Sequence, residues 1–249
     1  WCEAILPPGE TYVEPSLKSL NTISDYKERI HIVPGYGSPF LRILVLRLSH
    51  EAVQWAHWSE CSHPGMRWYL GYPRKRWYGG LVARHALGAF AQGVFADKDF
   101  AYWGIPVERI AFLPYVVRDV DRNAMPAKEC MDFLSGRNAF LYLGSLYHGK
   151  ATDVLLKAFA SIPENERREW ALLIVGKDLS QGRYKELANR LGLSGNVCFM
   201  EPVASDQIST ILKCAKVFVL PSRYDGWGVV LNEAASMGLA LIGSDKAGA

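Results

Sequence analysis

"KVFVLPSRYDGWGVVLNEAASMG", residues 216–238, reads as an apolar strand, a glycine-flanked turn and a helix, in that order. The run to Leu220 is short and β-rich, Gly226-Trp227-Gly228 breaks it, and Gly238 is a natural stop for the helix that follows. Inside this otherwise apolar helix stands Glu233, and at the mouth of the turn stands Asp225. An ionised carboxylate is costly to bury without a partner, so Glu233 either reaches solvent or holds a ligand. For a lone Gly-x-Gly, a tight turn with a solvated Glu233 is the plainer account.

The surroundings of that stretch decide the fold class. From about Asn138 onward, short apolar runs at 139–146, 170–176, 196–200, 216–222 and 239–244 alternate with amphipathic stretches. Val154, Leu155, Ala158, Phe159 and Ile162 fall at helical spacing, as do Leu187, Ala188 and Leu191 before Gly192, and Ser205 is placed to cap a third helix. Strand and helix in alternation are the pattern of βαβ units and predict an α/β protein with a parallel sheet. Ligands collect at the carboxyl ends of such strands, where the 225–228 loop sits. Its glycines let backbone amides approach a ligand, and the helix beginning near Gly228 offers unpaired N–H groups, so an anion, most simply a phosphate, belongs there. Glu233 would then accept from ribose hydroxyls and Asp225 from sugar hydroxyls.

The first half is less regular. Strands are expected at 29–33, 41–49, 52–58, 87–92 and 109–114, with helices over 74–86 and 95–103. The polar stretch 118–138, broken by Pro126, reads as a linker, which gives two domains, 1–117 and 118–249.

Composition excludes several classes. With 249 residues, 49% hydrophobic, the chain can bury a core, and a net charge of +3 is too mild to argue for a nucleic-acid partner. Its five cysteines include no C-x-x-C pair, and Cys61 with His63 has no second half-site for zinc, so buried thiols in a reducing cytoplasm are expected. No window reaches the eighteen apolar residues of a membrane span. A chain that begins at Trp1 and stops just after a buried strand reads as truncated at both ends.

Together these residues resemble the large GT-B family of retaining glycosyltransferases that share a Glu, seven residues, Glu motif. The motif stands here as Asp225 and Glu233, with the first acid shortened. "FLYLGSLYHGKATDVLLKAF" (140–159) is similar to the family's first donor-domain unit, where a Gly-Arg is followed five residues after the Arg by a Lys; here Gly144-Ser145 replaces the pair and Lys150 matches. The likeness continues through 170–178, 196–222 and 238–249, and "WGIPVERIAFLPYVV" (103–117) is similar to the close of the family's first domain.

The resemblance implies two Rossmann-like domains with parallel sheets facing across a cleft, and a nucleotide-sugar donor held mainly by the second. Lys150 and the amides of Gly226, Trp227, Gly228 and Val229 would support the departing diphosphate, where leaving-group charge grows. Asp225 would orient the sugar, Glu233 would fix the ribose, and the backbone of Pro202 and Val203 would flank the base, beside Glu201 where the family commonly has Gly. His57 resembles the family's cleft histidine near the reacting carbon, with His50 and His63 as rivals; a single histidine on an apolar strand is more often structural.

Two further features bear on partners. Residues 61–96 lack acids, and 66–80 interleave Arg67, Arg74, Lys75 and Arg76 with five aromatic residues. That composition suits an anionic membrane surface or a lipid-linked acceptor as well as it suits a solvated helix packed on its own domain, with single-stranded nucleic acid a distant third. Asp119-Val120-Asp121 has the Asp-x-Asp form of metal-dependent glycosyltransferases, but it falls in the linker and reads as a solvated turn, so no metal or other cofactor is expected. The expectation is a cytoplasmic enzyme, peripheral at the inner membrane face, that moves a sugar from a nucleotide donor to a glycan or glycolipid hydroxyl. A nucleotide-sugar epimerase or hydrolase on the same fold, and a domain that binds nucleotide or a partner without turnover, stand as alternatives.

Overall fold

The computed structural model describes residues 16, 23, 25–62, 69–115 and 120–248. The chain divides into two compact α/β units, Trp1–Leu113 and Pro114–Ala249, against an expected break after residue 117.

In the first unit four parallel strands, β1 (His31–Pro34), β2 (Trp55–Glu60), β3 (Ala89–Gln92) and β4 (Ile110–Phe112), lie in sequential order. Among the described residues the helices α1 (Pro39–His50), α2 (Tyr72–His85) and α3 (Ala96–Tyr102) lie between them. Helix α1 replaces the strand expected at 41–49. The run is apolar enough for a strand, but Leu41, Leu44, Val45 and Leu48 recur at helical spacing and pack into the core. Ser38 accepts from the Leu41 N–H, and Pro39 occupies the first turn, where a missing N–H costs nothing. The core of this unit joins Val33, Trp55, Ala89 and Ala91 from the strands to Val45, Leu48, Tyr78, Val82 and Phe100 from the helices.

The second unit holds β5 (Asn138–Leu143), β6 (Trp170–Val175), β7 (Val197–Met200), β8 (Val217–Leu220) and β9 (Ala240–Gly243), all parallel, in the order β7-β6-β5-β8-β9. Side-chain alternation divides its core between the two faces of the sheet. Ala139, Leu141, Ala171, Leu173 and Val175 pack with α4 (Lys128–Leu134), α8 (Ile208–Leu212) and α9 (Val229–Ser236). Tyr142, Leu172 and Ile174 pack with α5 (Thr152–Ala160) and α7 (Arg183–Arg190), and the short α6 (Glu164–Arg167) leads into β6.

Two local expectations are corrected. The stretch 118–138 is a linker only in part, because Cys130 and Leu134 on α4 are buried and the Ala127 N–H donates to the Thr210 carbonyl. Pro126 precedes this helix rather than breaking it. Ser205 is not a helix cap. A 3-10 turn over Ser205–Gln207 comes first, with Ala204 at its N-terminal boundary and no side-chain cap bond.

Candidate functional site

Strand order makes the site. The chain leaves β5 toward β6 on one side and returns through β8 on the other, so β5 and β8 are the neighbours between which the order reverses. Loops leaving adjacent strands in opposite directions open a crevice at their carboxyl ends, the place where doubly wound sheets bind ligands. The β5 loop carries Gly144, Ser145 and a 3-10 turn, His148–Lys150, and the β8 loop carries Pro221 to Gly228.

Two glycines are required by close approach. A Cβ on Gly176, after β6, would lie 2.0 Å from the Gly144 carbonyl oxygen, so the β5 and β6 exits touch backbone to backbone. Gly228 has φ +89°, and a Cβ there would meet Leu220 at 2.7 Å. This left-handed residue turns the chain from β8 into α9, whose first N–H groups have no intrahelical acceptor.

Lys150 and Asp225, 75 residues apart in sequence, are brought into an ion pair, Nζ to Oδ2. Both side chains are largely buried, and Asp225 Oδ2 also accepts from the Ser222 hydroxyl at 3.4 Å. The Asp225 backbone is tied to the exit of β9, its N–H donating to Lys246 O at 3.0 Å and its carbonyl accepting from Gly248 N at 3.1 Å. Glu233 is half-buried on α9, and burial raises its carboxyl pKa above the usual carboxylate value. Among the described residues its carboxylate makes no hydrogen bond or ion pair.

Arg223 escaped the sequence reading. Its guanidinium forks onto both carboxylate oxygens of Asp153 at 2.8 Å and donates to His148 O at 2.7 Å, while its backbone N–H donates to Gly149 O at 2.8 Å. One side chain of the β8 loop therefore fastens the turn that presents Lys150. The guanidinium in turn holds the Asp153 carboxyl below its ordinary pKa. An Arg directly after a buried strand and an Asp in the first turn of a helix were the available signals, but nothing in their spacing pairs them.

The other expected residues separate. Trp227 is buried, and its indole N–H donates to Asn232 Oδ1 at 2.7 Å, so its side chain anchors the loop. The Tyr142 hydroxyl donates to the Ser145 carbonyl at 2.9 Å, which fixes the turn where the family has Arg. Pro202 and Val203 follow β7, two strands from β5, or about 10 Å along the sheet. Asp121 Oδ1 accepts from the Asn123 N–H as a closed turn. Asp119 and His63 lie outside the described residues, and His50 ends α1, exposed. Among the described residues no group of His, Cys, Asp and Glu has the arrangement of a metal site, and no helix is long and apolar enough to cross a membrane.

His57 is corrected from a substrate-facing residue to an enclosed one. It lies in the first unit with no exposed surface, packed edge-on against Phe100 and Tyr78. Nε2 is 2.9 Å from Ser59 Oγ, whose own proton goes to Glu60 O, so Nε2–H donates and Nδ1 accepts from the Tyr78 hydroxyl at 3.0 Å. Burial pushes the imidazole pKa down to about 3, which keeps it neutral.

Residues 131–249 match the family described as glycosyl transferases group 1. Over this segment, just under half of its length, the chain is similar to that family. The lipopolysaccharide glucosyltransferase WaaG of Escherichia coli (strain K12) is 31% identical over 106 residues, 43% of this chain and 28% of that protein. The D-inositol 3-phosphate glycosyltransferase of Rhodococcus jostii (strain RHA1) is 30% identical over 140 residues, 53% of this chain and 30% of that protein. The chain thus spans under a third of the length of each of these relatives. Anabaena Alr3699/HepE, solved in complex with UDP and glucose, matches with a TM-score of 0.71 at 16% identity over 93% of this chain and 62% of that one. The fold is the expected GT-B glycosyltransferase fold.

Proposed function

We propose that this chain is part of a retaining glycosyltransferase that moves a sugar from a nucleotide-diphosphate donor to a hydroxyl of a glycan or glycolipid, in polysaccharide or lipopolysaccharide-type synthesis. One observation carries the reading. A lysine, an aspartate and the open N-terminus of a helix bearing an unpartnered, half-buried glutamate meet at the β5/β8 switch point of a group 1 glycosyltransferase unit. Lys150 and the α9 amides take the diphosphate, Glu233 takes the ribose hydroxyls, and Asp225 exchanges its lysine for a sugar hydroxyl when the donor enters. The bond from anomeric carbon to phosphate oxygen breaks as the acceptor oxygen bonds on the same face, and a donor phosphate oxygen takes the acceptor's proton. No metal enters this scheme, because Lys150 supplies the positive charge. The WaaG and HepE relatives support a glucosyl-type reaction and a uridine nucleotide respectively.

The exposed Tyr69, Leu70 and Trp77 beside Arg74 and Arg76 favour a peripheral position on the cytoplasmic face of an anionic membrane. Ser145, where the family has Arg, favours a second reading in which the nucleotide binds without turnover.

Calorimetric titration with UDP, GDP and ADP tests the proposal, with Glu233→Gln as the control. Saturable binding of one nucleotide, weakened about tenfold or more by the substitution, is expected from the loss of a charge-assisted hydrogen bond. No binding by a chain that circular dichroism shows to be folded refutes it.

A further inference from the structure

Three cysteines that stand apart in the sequence meet on one face of the second sheet. Cys130 on α4, Cys214 just after α8 and Cys198 on β7 pack into the same core, together with Met200 at the end of β7. All three are free thiols. No spacing in the sequence pairs them; the packing of α4 against α8 does.

The contact between Cys130 and Cys214 follows from how those two helices are tied. The Ala127 N–H donates to the Thr210 carbonyl at 3.1 Å, which fixes the start of α4 beside α8. Cys130 lies three residues beyond Ala127 and Cys214 four beyond Thr210, about one helical turn further along each segment. The two side chains therefore come to the same level, and the thiols share a hydrogen bond. The Cys130 thiol has two sulfur acceptors in reach, Cys214 Sγ and Met200 Sδ, the latter at 3.5 Å. As a thiol, Cys214 donates to the Thr210 carbonyl at 3.2 Å. Both sulfurs are thus held in place from more than one side.

The thiols are not equivalent. Their shared hydrogen bond holds Cys214 below its ordinary pKa and, with burial, pushes Cys130 up. Cys198 is half-buried, and burial pushes its thiol up as well. Cys130 has no exposed surface, whereas Cys214 keeps 7%. Of the three, Cys214 combines thiolate character, a path to solvent and a partner thiol.

We infer that Cys130 and Cys214 are a redox pair, which a peroxide oxidises to a disulfide that staples α4 to the end of α8. The Cys214 thiolate attacks one oxygen of hydrogen peroxide and becomes a sulfenic acid. The O–O bond breaks, and the other oxygen leaves as hydroxide, which takes up the proton the thiol gave up. Cys130 Sγ then attacks the sulfenic sulfur; the S–S bond forms, the S–O bond breaks, and the hydroxyl leaves as water with the Cys130 proton. Two thiols and one peroxide give one disulfide and two waters. Helix α4 leads into β5, and Cys214 stands three residues before β8. The staple therefore joins the approaches to the two strands between which the crevice opens, whatever ligand that crevice takes.

The test is peptide mapping of the whole folded chain after hydrogen peroxide, with remaining thiols alkylated and digestion under non-reducing conditions. The expected main product is a linked peptide pair carrying Cys130 and Cys214, lighter than the two reduced peptides by two hydrogens and released by dithiothreitol. The second unit should then melt roughly 5–15 °C higher than in the reduced chain, because the bridge closes a long loop of the unfolded state. Amide exchange in β5 and β8 should slow. Cys214→Ser should abolish the link and both effects, and Cys130→Ser should leave a sulfenic acid at Cys214 that dimedone traps. Mapping of the unsubstituted chain decides the pairing without either variant. Recovery of both cysteines as alkylated thiols, a link from Cys130 to Cys198, or oxidation confined to Met200 overturns the inference. A Cys130–Cys214 link that changes neither melting nor exchange overturns the staple.

Discussion

The Lys150–Asp225 pair should answer in opposite directions to removal of its two partners. In the proposed site, without nucleotide, Asp225 occupies the ammonium that a diphosphate would take, and among the described residues the Ser222 hydroxyl, at 3.4 Å, also reaches its Oδ2. Lys150→Ala removes a charge-assisted contact of about 1.5–3 kcal/mol and leaves a carboxylate facing the incoming phosphates, so UDP affinity should fall roughly 10- to 150-fold. Asp225→Asn keeps the shape and removes the competitor. It should leave UDP affinity unchanged or raise it about two- to fivefold, while sugar transfer falls. In the double variant the stranded carboxylate is gone, so UDP should bind better than to Lys150→Ala alone, with a coupling of roughly 0.5–3 kcal/mol. Calorimetry with UDP at low and at physiological ionic strength reads all four proteins, and the coupling should shrink with salt. If Asp225→Asn weakens UDP as much as Lys150→Ala does, or the two effects simply add, the carboxylate is not a competitor and the exchange of partners is wrong.

Three further outcomes are expected. Arg223→Lys cannot fork onto Asp153, so hydrogen exchange at the Gly149 and Lys150 amides should rise and UDP affinity should fall about three- to tenfold, the global fold surviving; unchanged exchange there would remove Arg223 as the fastener of the turn. The folded pKa of His57, about 3, lies below its ordinary value of 6.5, so its stabilising contribution is present above pH 6.5 and is lost as pH falls toward 3, by up to about 1.4 kcal/mol per unit. Thermal melts from pH 7 to 4 should show that loss in the first unit, and His57→Phe should flatten it; an unchanged slope would contradict burial of the ring. Glu233 has a folded pKa above the unfolded value, so its ionisation on raising the pH costs stability. Glu233→Gln should therefore hold or raise the melting temperature at pH 7 while weakening nucleotide binding, and a large fall in melting temperature would make the residue structural.

What could be read from sequence and what could not divide along a physical line. The strands and helices of the second unit were legible because period-2 and period-3.6 patterns report burial on one face of an element, and that information is local. Helix α1 was misread for the same reason: an apolar run such as Leu41–Ser49 satisfies both patterns loosely, and the arbiter was the Ser38-Pro39 start. His57 shows a different limit. A histidine on a strand next to Glu60 looks the same whether its ring meets solvent or an aromatic side chain, and only the packing of α2 and α3, carrying Tyr78 and Phe100, decides it. The site was half legible. Asp225, Gly228 and Glu233 come from one continuous strand-turn-helix, where spacing fixes neighbourhood. Lys150 joins them only because the sheet order places β5 beside β8, and Arg223 joins Asp153 only through the same adjacency. The order β7-β6-β5-β8-β9 therefore does chemical work that no single segment encodes: it converts two separate loops into one crevice and supplies each loop's charge with a partner from the other. A variant that keeps every element but loosens the β5/β8 adjacency should lose the lysine, the aspartate and the arginine clamp together, as one event.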